Sequence, residues 1–204
     1  MELPKQPGAG PDNAGNPNDA EAERLRDEGP RIYVASLSDY NAGILHGDWL
    51  AAEQEPEELQ QAVNLMLERS PTAGAEEFAI HDYEGFGHYA PSEYDSLDWI
   101  SRIGRGIVEQ GQAFGAWAAR CEHDEDALVQ FEEAYLGQWS SVEDYADELL
   151  SDLGYIDAVE RAVPDSLQPY ISLDTAGFAR DLELSGDITS VEHADGVWIF
   201  DGRL

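Results

Sequence analysis

The chain has 204 residues, with 43 acidic side chains against 11 basic ones and a formal net charge of −32. This charge excludes most proteins that bind nucleic acid or anionic membranes, because both functions need a basic surface. Apolar residues make up 42% of the chain, which is enough to form a core and argues against overall disorder. The natural partner is a basic molecule, and salt should weaken the attraction.

A single cysteine, Cys121, excludes an intramolecular disulfide and fits a reducing compartment. The sequence has no apolar run long enough to cross a bilayer and no basic-then-apolar signal sequence. We therefore expect a cytoplasmic protein without a membrane partner. Residues 1–30 are rich in Pro, Gly, Asn, Ala and acids, which predicts a disordered leader.

A small α+β domain is predicted over residues 31–91. Alternating apolar residues and turn chemistry predict strands at 32–37, 44–50 and 77–83, a turn at 39–43, and a helix opened by Pro56 with Leu59, Ala62, Val63, Met66 and Leu67 as its buried stripe. Trp49, Phe78, Ile80 and Tyr83 are interpreted as core residues of this domain.

The remaining chain predicts a helical domain at 92–137 and a mixed α+β domain at 138–204. In the helical domain, Tyr94, Leu97, Trp99, Ile100 and Ile103 are spaced as one apolar stripe. In the last domain a helix is expected from Asp174 to Leu184. Asp195-Gly196 between two β-prone runs, 188–191 and 197–200, predicts a closing hairpin. The overall fold class is therefore α+β, in three small domains.

The segment from Cys121 to Glu160 contains no Lys or Arg and carries thirteen carboxylates: Glu122, Asp124, Glu125, Asp126, Glu132, Glu133, Glu143, Asp144, Asp147, Glu148, Asp152, Asp157 and Glu160. Apolar residues recur through it at helical spacing, at 127–135 and again at 142–153. Gly137 predicts the end of one helix, and a capping box at Ser140 and Glu143 predicts the start of the next.

The second of these helices has a charge spacing close to that of DNA. From Glu143 to Asp152 it carries five acids over roughly 15 Å, which is about one charge per 3 Å of axis. A single strand of duplex DNA carries one phosphate per about 3.4 Å. Rows of like charges at i,i+4 normally destabilise a helix. Their repetition here suggests that the negative electrostatic field they produce has a function.

An enzyme has no positive support in the sequence. Acids are so abundant that carboxylate pairs carry no information, and His81-x-x-Glu84 and Glu122-His123-Asp124 lack a further ligand at metal-binding spacing. A phosphate loop, a nucleophile elbow and a cysteine cluster are absent from the sequence. Acids beside Cys121 should raise the pKa of its thiol, which is wrong for a nucleophile. We expect no catalysis, no cofactor and no bound metal.

Composition alone leaves two explanations of the charge open. A halophile's solvated surface is rich in acids and poor in lysine, and an interaction surface for a basic partner has the same composition. Solubility by itself needs only a modest net charge. A halophilic surface would spread acids evenly, whereas here the base-free segments between Arg120 and Arg161 and between Arg69 and Arg102 are extreme.

Three separated blocks of the sequence carry distinctive motifs. The first is RIYVASL at 31–37 followed by YNxGxLxGxW at 40–49, the second is EEFAIHDYE at 76–84, and the third combines SLQxYI at 166–171 with RDLxLSG at 180–186. In this order the three blocks resemble the ArdA family of antirestriction proteins. The resemblance implies an elongated, curved homodimer of three small domains in line, whose carboxylates imitate the phosphates of bent DNA. Such a protein occupies the DNA groove of type I restriction–modification enzymes and protects incoming mobile DNA.

On this interpretation the mimicking surface consists of acids of the central segment, extended by four acids nearer the N-terminus: Asp39, Asp48, Asp82, Glu84, Glu122, Asp124, Glu125, Asp126, Glu132, Glu133, Glu143, Asp144, Asp147, Glu148 and Asp152. The resemblance also implies self-association through the C-terminal domain, with Tyr170, Ile171 and Phe178 as interface residues or, equally, as core. The alternative function is an acidic binding module for another basic DNA-binding protein, such as a nucleoid protein or a repressor.

Overall fold

A computed structural model describes residues 29–204, so the predicted leader falls almost entirely outside the described residues. The chain forms two compact units, one ending at Glu109 and the other running from Gln110 to Leu204. Among the described residues, no helix combines the length and the hydropathy needed to cross a membrane.

The first unit is a three-stranded antiparallel sheet with helices. Its elements are β1 (Arg31–Ser36), α1 (Leu37–Asn41), β2 (Gly47–Ala51), α2 (Pro56–Glu68), β3 (Phe78–Glu84) and α3 (Leu97–Gln110), and the strand order is β2-β1-β3. Alternation along the central strand β1 buries Ile32 and Val34 completely. Helix α2 packs on β1 and β2 and buries Leu59, Val63 and Met66 at the spacing of one helix face.

Helix α3 belongs to this first unit because its surface fits the chain that follows β2. A side chain at Gly104 would lie 2.6 Å from the Ala52 carbonyl group, so the helix can approach only with glycine there. The Ser101 hydroxyl donates to the Gln54 carbonyl, and Ile100 and Ile103 are completely buried. The residues predicted as a separate helical domain are therefore divided between the two units, and the three-domain arrangement is not confirmed.

The second unit is built around another three-stranded antiparallel sheet. Its elements are α4 (Gln112–Ala118), α5 (Glu125–Leu128), α6 (Phe131–Ala134), β4 (Tyr135–Trp139), α7 (Val142–Asp152), α8 (Tyr155–Ala162), a 3-10 turn (Gln168–Tyr170), α9 (Thr175–Ser185), β5 (Ile188–His193) and β6 (Gly196–Asp201). Strand β6 lies in the centre, in the order β4-β6-β5, and β5 and β6 form the hairpin predicted at Asp195-Gly196.

The central strand β6 is covered on both faces. Val197 and Ile199 point to one face, where Val142 and Tyr145 of α7 and Leu182 of α9 pack against them. Phe200 points to the other face. The centre of its ring lies 5.5 Å from that of Trp117 and 6.4 Å from that of Phe131. The helices α4 and α6 therefore cover the face of the sheet opposite to α7, as expected for a fully apolar central strand.

Several boundaries differ from the sequence-based predictions. The apolar stripe at 127–135 forms two four-residue helices, and Tyr135 begins β4 because it pairs with Phe200. Gly137 lies inside β4 with φ +112° instead of ending a helix. The cap of α7 is Ser141, one residue later than predicted. The predicted turn at 39–43 begins as the short helix α1.

Truncation of Phe200 tests this packing. Phe200 is completely buried between aromatic rings, so Phe200→Ala should lower the free energy of unfolding by about 3–5 kcal/mol. Denaturant unfolding followed by near-UV circular dichroism measures the loss. Val129→Ala is the control, because Val129 is 74% exposed and its truncation should change stability by no more than about 0.5 kcal/mol. Equal effects of the two changes would contradict the described core.

Candidate acidic binding surface

Helix α7 separates an apolar face from an acidic one. Ala146 and Leu150 are buried, while the five α7 acids, Glu143, Asp144, Asp147, Glu148 and Asp152, are all exposed. The Ser141 hydroxyl accepts a hydrogen bond of 3.1 Å from the Asp144 amide and so fixes the start of the helix. Acids in the first turn are favourable beside the helix dipole, but Asp152 in the last turn is not. The sequence therefore keeps carboxylates on α7 even where helix energetics oppose them.

A second group of acids surrounds α5 and α6. These α5–α6 acids, Glu122, Asp124, Glu125, Asp126, Glu132 and Glu133, are likewise all exposed. Asp124 caps α5 by accepting hydrogen bonds from the amides of Asp126 and Ala127, at 2.9 and 3.2 Å. Glu122 and His123 just before this cap have positive φ angles, which are unfavourable for residues other than glycine. This turn directs the chain into an acidic helix only a few residues long.

Aromatic packing holds these short helices in place. The Trp117 indole donates a 3.0 Å hydrogen bond to the Ala127 carbonyl, and the Phe131 ring stacks on Tyr135 at 5.2 Å. Because four-residue helices are unstable alone, their position depends on these contacts. The α5–α6 acids thus lie on the layer that covers Phe200, and the α7 acids lie on the opposite layer of the same sheet.

The four N-terminal acids predicted for this surface differ from the central ones. Asp39 is completely buried and not on the surface, so its assignment to the mimic is wrong. Its carboxylate accepts a 2.6 Å hydrogen bond from Ser70, and its amide donates to the Ser36 hydroxyl. Burial by itself raises the pKa of the Asp39 carboxyl, but hydrogen bonds from Ser70, Thr72 and Ser36 outweigh it and leave the pKa below its ordinary value.

Two of the other three N-terminal acids are paired with arginine. Arg69, next to the end of α2, binds Asp48, and Arg31 donates a 2.6 Å hydrogen bond to Glu84. Asp82 is exposed, and its carboxylate accepts a hydrogen bond from the Tyr83 amide. Of these four acids, only Asp82 therefore offers an exposed carboxylate without an arginine partner in the described part of the chain.

The arginines of residues 29–204 mostly form such local ion pairs. Besides those with Asp48 and Glu84, the pairs are Arg102–Asp98, Arg105–Glu55, Arg161–Asp157 and Arg203–Asp201. Of the acids they neutralise, Asp157 alone belongs to the segment from Cys121 to Glu160. Most arginines of the described chain are therefore paired with acids outside the acidic segment and do not neutralise the carboxylates within it.

The fragments that resemble metal or nucleophile sites have other partners. His81 makes an edge contact with the Tyr40 ring at 4.8 Å, while Glu84 binds Arg31. Among residues 29–204, no group of His, Cys, Asp and Glu side chains has metal-binding geometry. Burial raises the pKa of the Cys121 thiol to about 11, so this thiol stays protonated at neutral pH.

Two residues interpreted as core are instead substantially exposed. Trp49 and Tyr83 are exposed by 39% and 38%. Alternation along β1 puts Tyr33 on the face opposite to Ile32 and Val34, and Trp49 pairs with Tyr33. Residues that pair across two strands lie on the same face of a sheet, so the register of β1 and β2 would have placed Trp49 on the face opposite to the core. Alternation within one strand does not give that register.

The residues considered for self-association are exposed to different extents. Tyr170 and Ile171 are exposed by 83% and 48%, whereas Phe178 on α9 is half-buried. Ile171 lines a cleft of about 290 Å³, whose other lining residues are the apolar Ile156, Val159 and Leu173 and the polar Asp147, Glu160, Ser172 and Thr175. The exposed side chains of Tyr170 and Ile171, together with this partly apolar cleft, are candidates for an interaction surface.

The lowered pKa of Asp39 predicts a pH-dependent contribution to stability. A carboxyl whose pKa falls on folding stabilises the protein above its unfolded pKa, near 3.8, and loses this effect as pH falls through the folded value. Asp39→Asn should therefore be less stable than the wild type at pH 7, and the difference should shrink below about pH 4. Urea unfolding across this pH range measures it. Asp165→Asn, at an exposed site, is the control, and a pH-independent difference for Asp39→Asn would contradict the assignment.

Comparison with known proteins gives a family for the chain. Residues 32–195 match the family described as antirestriction protein (ArdA), and this range includes parts of both units of the structure. A search of curated proteins gives no match. The ArdA family is an antirestriction family and not a catalytic one, and its members inhibit restriction–modification enzymes. With most of its length matched, this acidic chain belongs to the ArdA family of antirestriction proteins.

Proposed function

We propose that this protein inhibits type I restriction–modification enzymes in the cytoplasm by imitating the phosphate charge of B-form DNA and occupying their DNA-binding groove. The observation that supports the proposal is the exposure of all thirteen carboxylates between Cys121 and Glu160, with no Lys or Arg among them. Occupation of the groove would protect incoming mobile DNA from restriction.

The physical basis is competition for the same basic side chains. A DNA-binding groove gains affinity because its lysines and arginines displace counterions from phosphates. A folded helix with carboxylates at about 3 Å spacing along its axis offers a field similar to that of one DNA strand. Because phosphate contacts carry no sequence information, the inhibition would be independent of the enzyme's recognition sequence.

The two-sided arrangement of the acids supports the same proposal. The α7 acids and the α5–α6 acids lie on opposite layers around one sheet, and a duplex likewise carries phosphates on both sides of its axis. A groove that encloses DNA can then contact both groups. The interaction is distributed, so no single carboxylate should dominate the affinity.

Removing the charges of α7 tests the proposal. Exposed ion pairs contribute about 0.5 kcal/mol each, so converting all five α7 acids to their amides should weaken the displacement of labelled DNA from a purified type I enzyme about sixtyfold. Each single change, such as Glu148→Gln, should weaken displacement about two- to threefold. Fluorescence anisotropy of the DNA gives the amount of inhibitor needed for half displacement.

A matched control removes the same number of charges elsewhere in the second unit. It combines Asp165→Asn, Asp181→Asn, Glu183→Gln, Glu192→Gln and Asp195→Asn, all at exposed positions outside the acidic segment. If both variants lose the same ability to displace DNA, net charge alone explains the inhibition and the α7 acids have no special role. A wild-type protein that leaves the DNA bound would contradict the proposed function.

We also propose that the active form is a homodimer, joined through the surface around Tyr170, Ile171 and Phe178. The exposure of Tyr170 and of Ile171, which lines a partly apolar cleft, supports this. Ile171→Asp adds a charge to this surface and should shift sedimentation from dimer to monomer. Leu45→Asp, which changes a residue 79% exposed in the first unit, should leave the dimer intact. A dimer that persists in Ile171→Asp would contradict this interface.

A further inference from the structure

The sheet of the first unit presents aromatic rings on the face opposite to its core. Tyr33 of β1 and Trp49 of β2 are cross-strand partners, with their ring centroids 5.5 Å apart. Trp49 is 39% exposed, while Ile32 and Val34 on the other side of β1 are completely buried. The two rings are therefore not needed to fill the core under α2.

The chain makes room for these rings at Gly47. A side chain at this position would lie 2.9 Å from both Cζ and Oη of Tyr33 and even closer to the Val34 carbonyl oxygen. Glycine is needed at position 47 because the backbone of β1 lies so close. The end of the Tyr33 ring occupies the space where a side chain would otherwise lie.

The same face already holds one cation of its own chain. The Arg31 guanidinium lies 5.0 Å from the centre of the Trp49 ring and donates a hydrogen bond to Glu84. An indole ring and a carboxylate together are a favourable environment for a guanidinium group. Asp82 lies directly opposite Tyr33 in the register and, among residues 29–204, forms no ion pair with an arginine.

We propose that Tyr33, Trp49 and Asp82 form a docking point for an arginine or lysine side chain of a basic partner protein. The rings supply cation–π attraction, Asp82 supplies the opposite charge, and the chain's net charge of −32 attracts such a partner. Aromatic rings also stack on nucleic-acid bases, but that charge repels nucleic acid. The proposal rests on the proposed function only in taking the partner to be a restriction–modification enzyme.

A peptide titration tests the docking point without the enzyme. The full chain, labelled with ¹⁵N, is titrated with hexa-arginine, and the Trp49 indole signal is identified as the one missing from Trp49→Phe. We expect a saturable shift of this signal, and Trp49→Leu should weaken peptide binding about two- to thirtyfold. Tyr94→Leu is the control, since Tyr94 is a 72% exposed aromatic residue outside the sheet.

Binding that leaves the Trp49 signal unmoved, or that is equally tight in Trp49→Leu, would overturn the proposal, as would no binding at all. Circular dichroism of Trp49→Leu confirms that this variant is folded. Asp82→Asn removes the negative charge and leaves both aromatic rings unchanged, and it should also weaken peptide binding.

Displacement of DNA from a type I enzyme then separates this inference from the proposed function. If the wild type displaces DNA, Trp49→Leu should need about two- to thirtyfold more protein, and equal displacement would show that the enzyme does not use this face. If the wild type fails to displace DNA, the proposed function fails, while the peptide titration still decides whether the docking point exists.

Discussion

Repulsion among closely spaced carboxylates is the force that the second unit must withstand to fold at all. Each like-charge pair along α7 costs a few tenths of a kcal/mol, whereas full burial of one leucine-sized side chain contributes about 1.5–3 kcal/mol. Leu150 and Ala146 are buried, and Val142 and Tyr145 pack against the apolar strand β6. The acidic face of α7 therefore exists because its apolar face is bound to a sheet. The same holds for α5 and α6, which depend on the aromatic rings around Phe200.

The few arginines lie outside the acidic segment, and most of those in the described chain form ion pairs with neighbouring acids. Arginines pair locally with acids, for example Arg105 with Glu55 and Arg203 with Asp201, and stabilise particular turns and helix ends. Between Arg120 and Arg161 the sequence has no base, so the field of the central segment is not cancelled from within. Family membership gives an antirestriction role, and the proposed mimicry of DNA would depend on the exposed carboxylates of this segment.

Local patterns predicted much of this fold. Alternation identified β1, the turn residues Asp195-Gly196 between two β-prone runs identified the hairpin of β5 and β6, and helical spacing identified α2 and α7, because each signal is local in the sequence. Long-range fits could not be predicted: α3 joins the first unit through Gly104 against Ala52, and the acids divide between two layers because β6 is central. In the site, the exposure of the α7 acids followed from helix periodicity. The burial of Asp39 did not, because it depends on Ser70, 31 residues away.

The measurement that tests the central claim most directly is the affinity of the wild-type protein for a type I restriction–modification enzyme at increasing concentrations of an unlabelled target duplex. If the carboxylates occupy the DNA groove, the apparent dissociation constant should rise in proportion to the duplex concentration, and no complex of all three components should form. It should also rise with salt, as it does for DNA. An affinity that stays constant as the duplex saturates the enzyme, with all three components in one complex, would contradict the account.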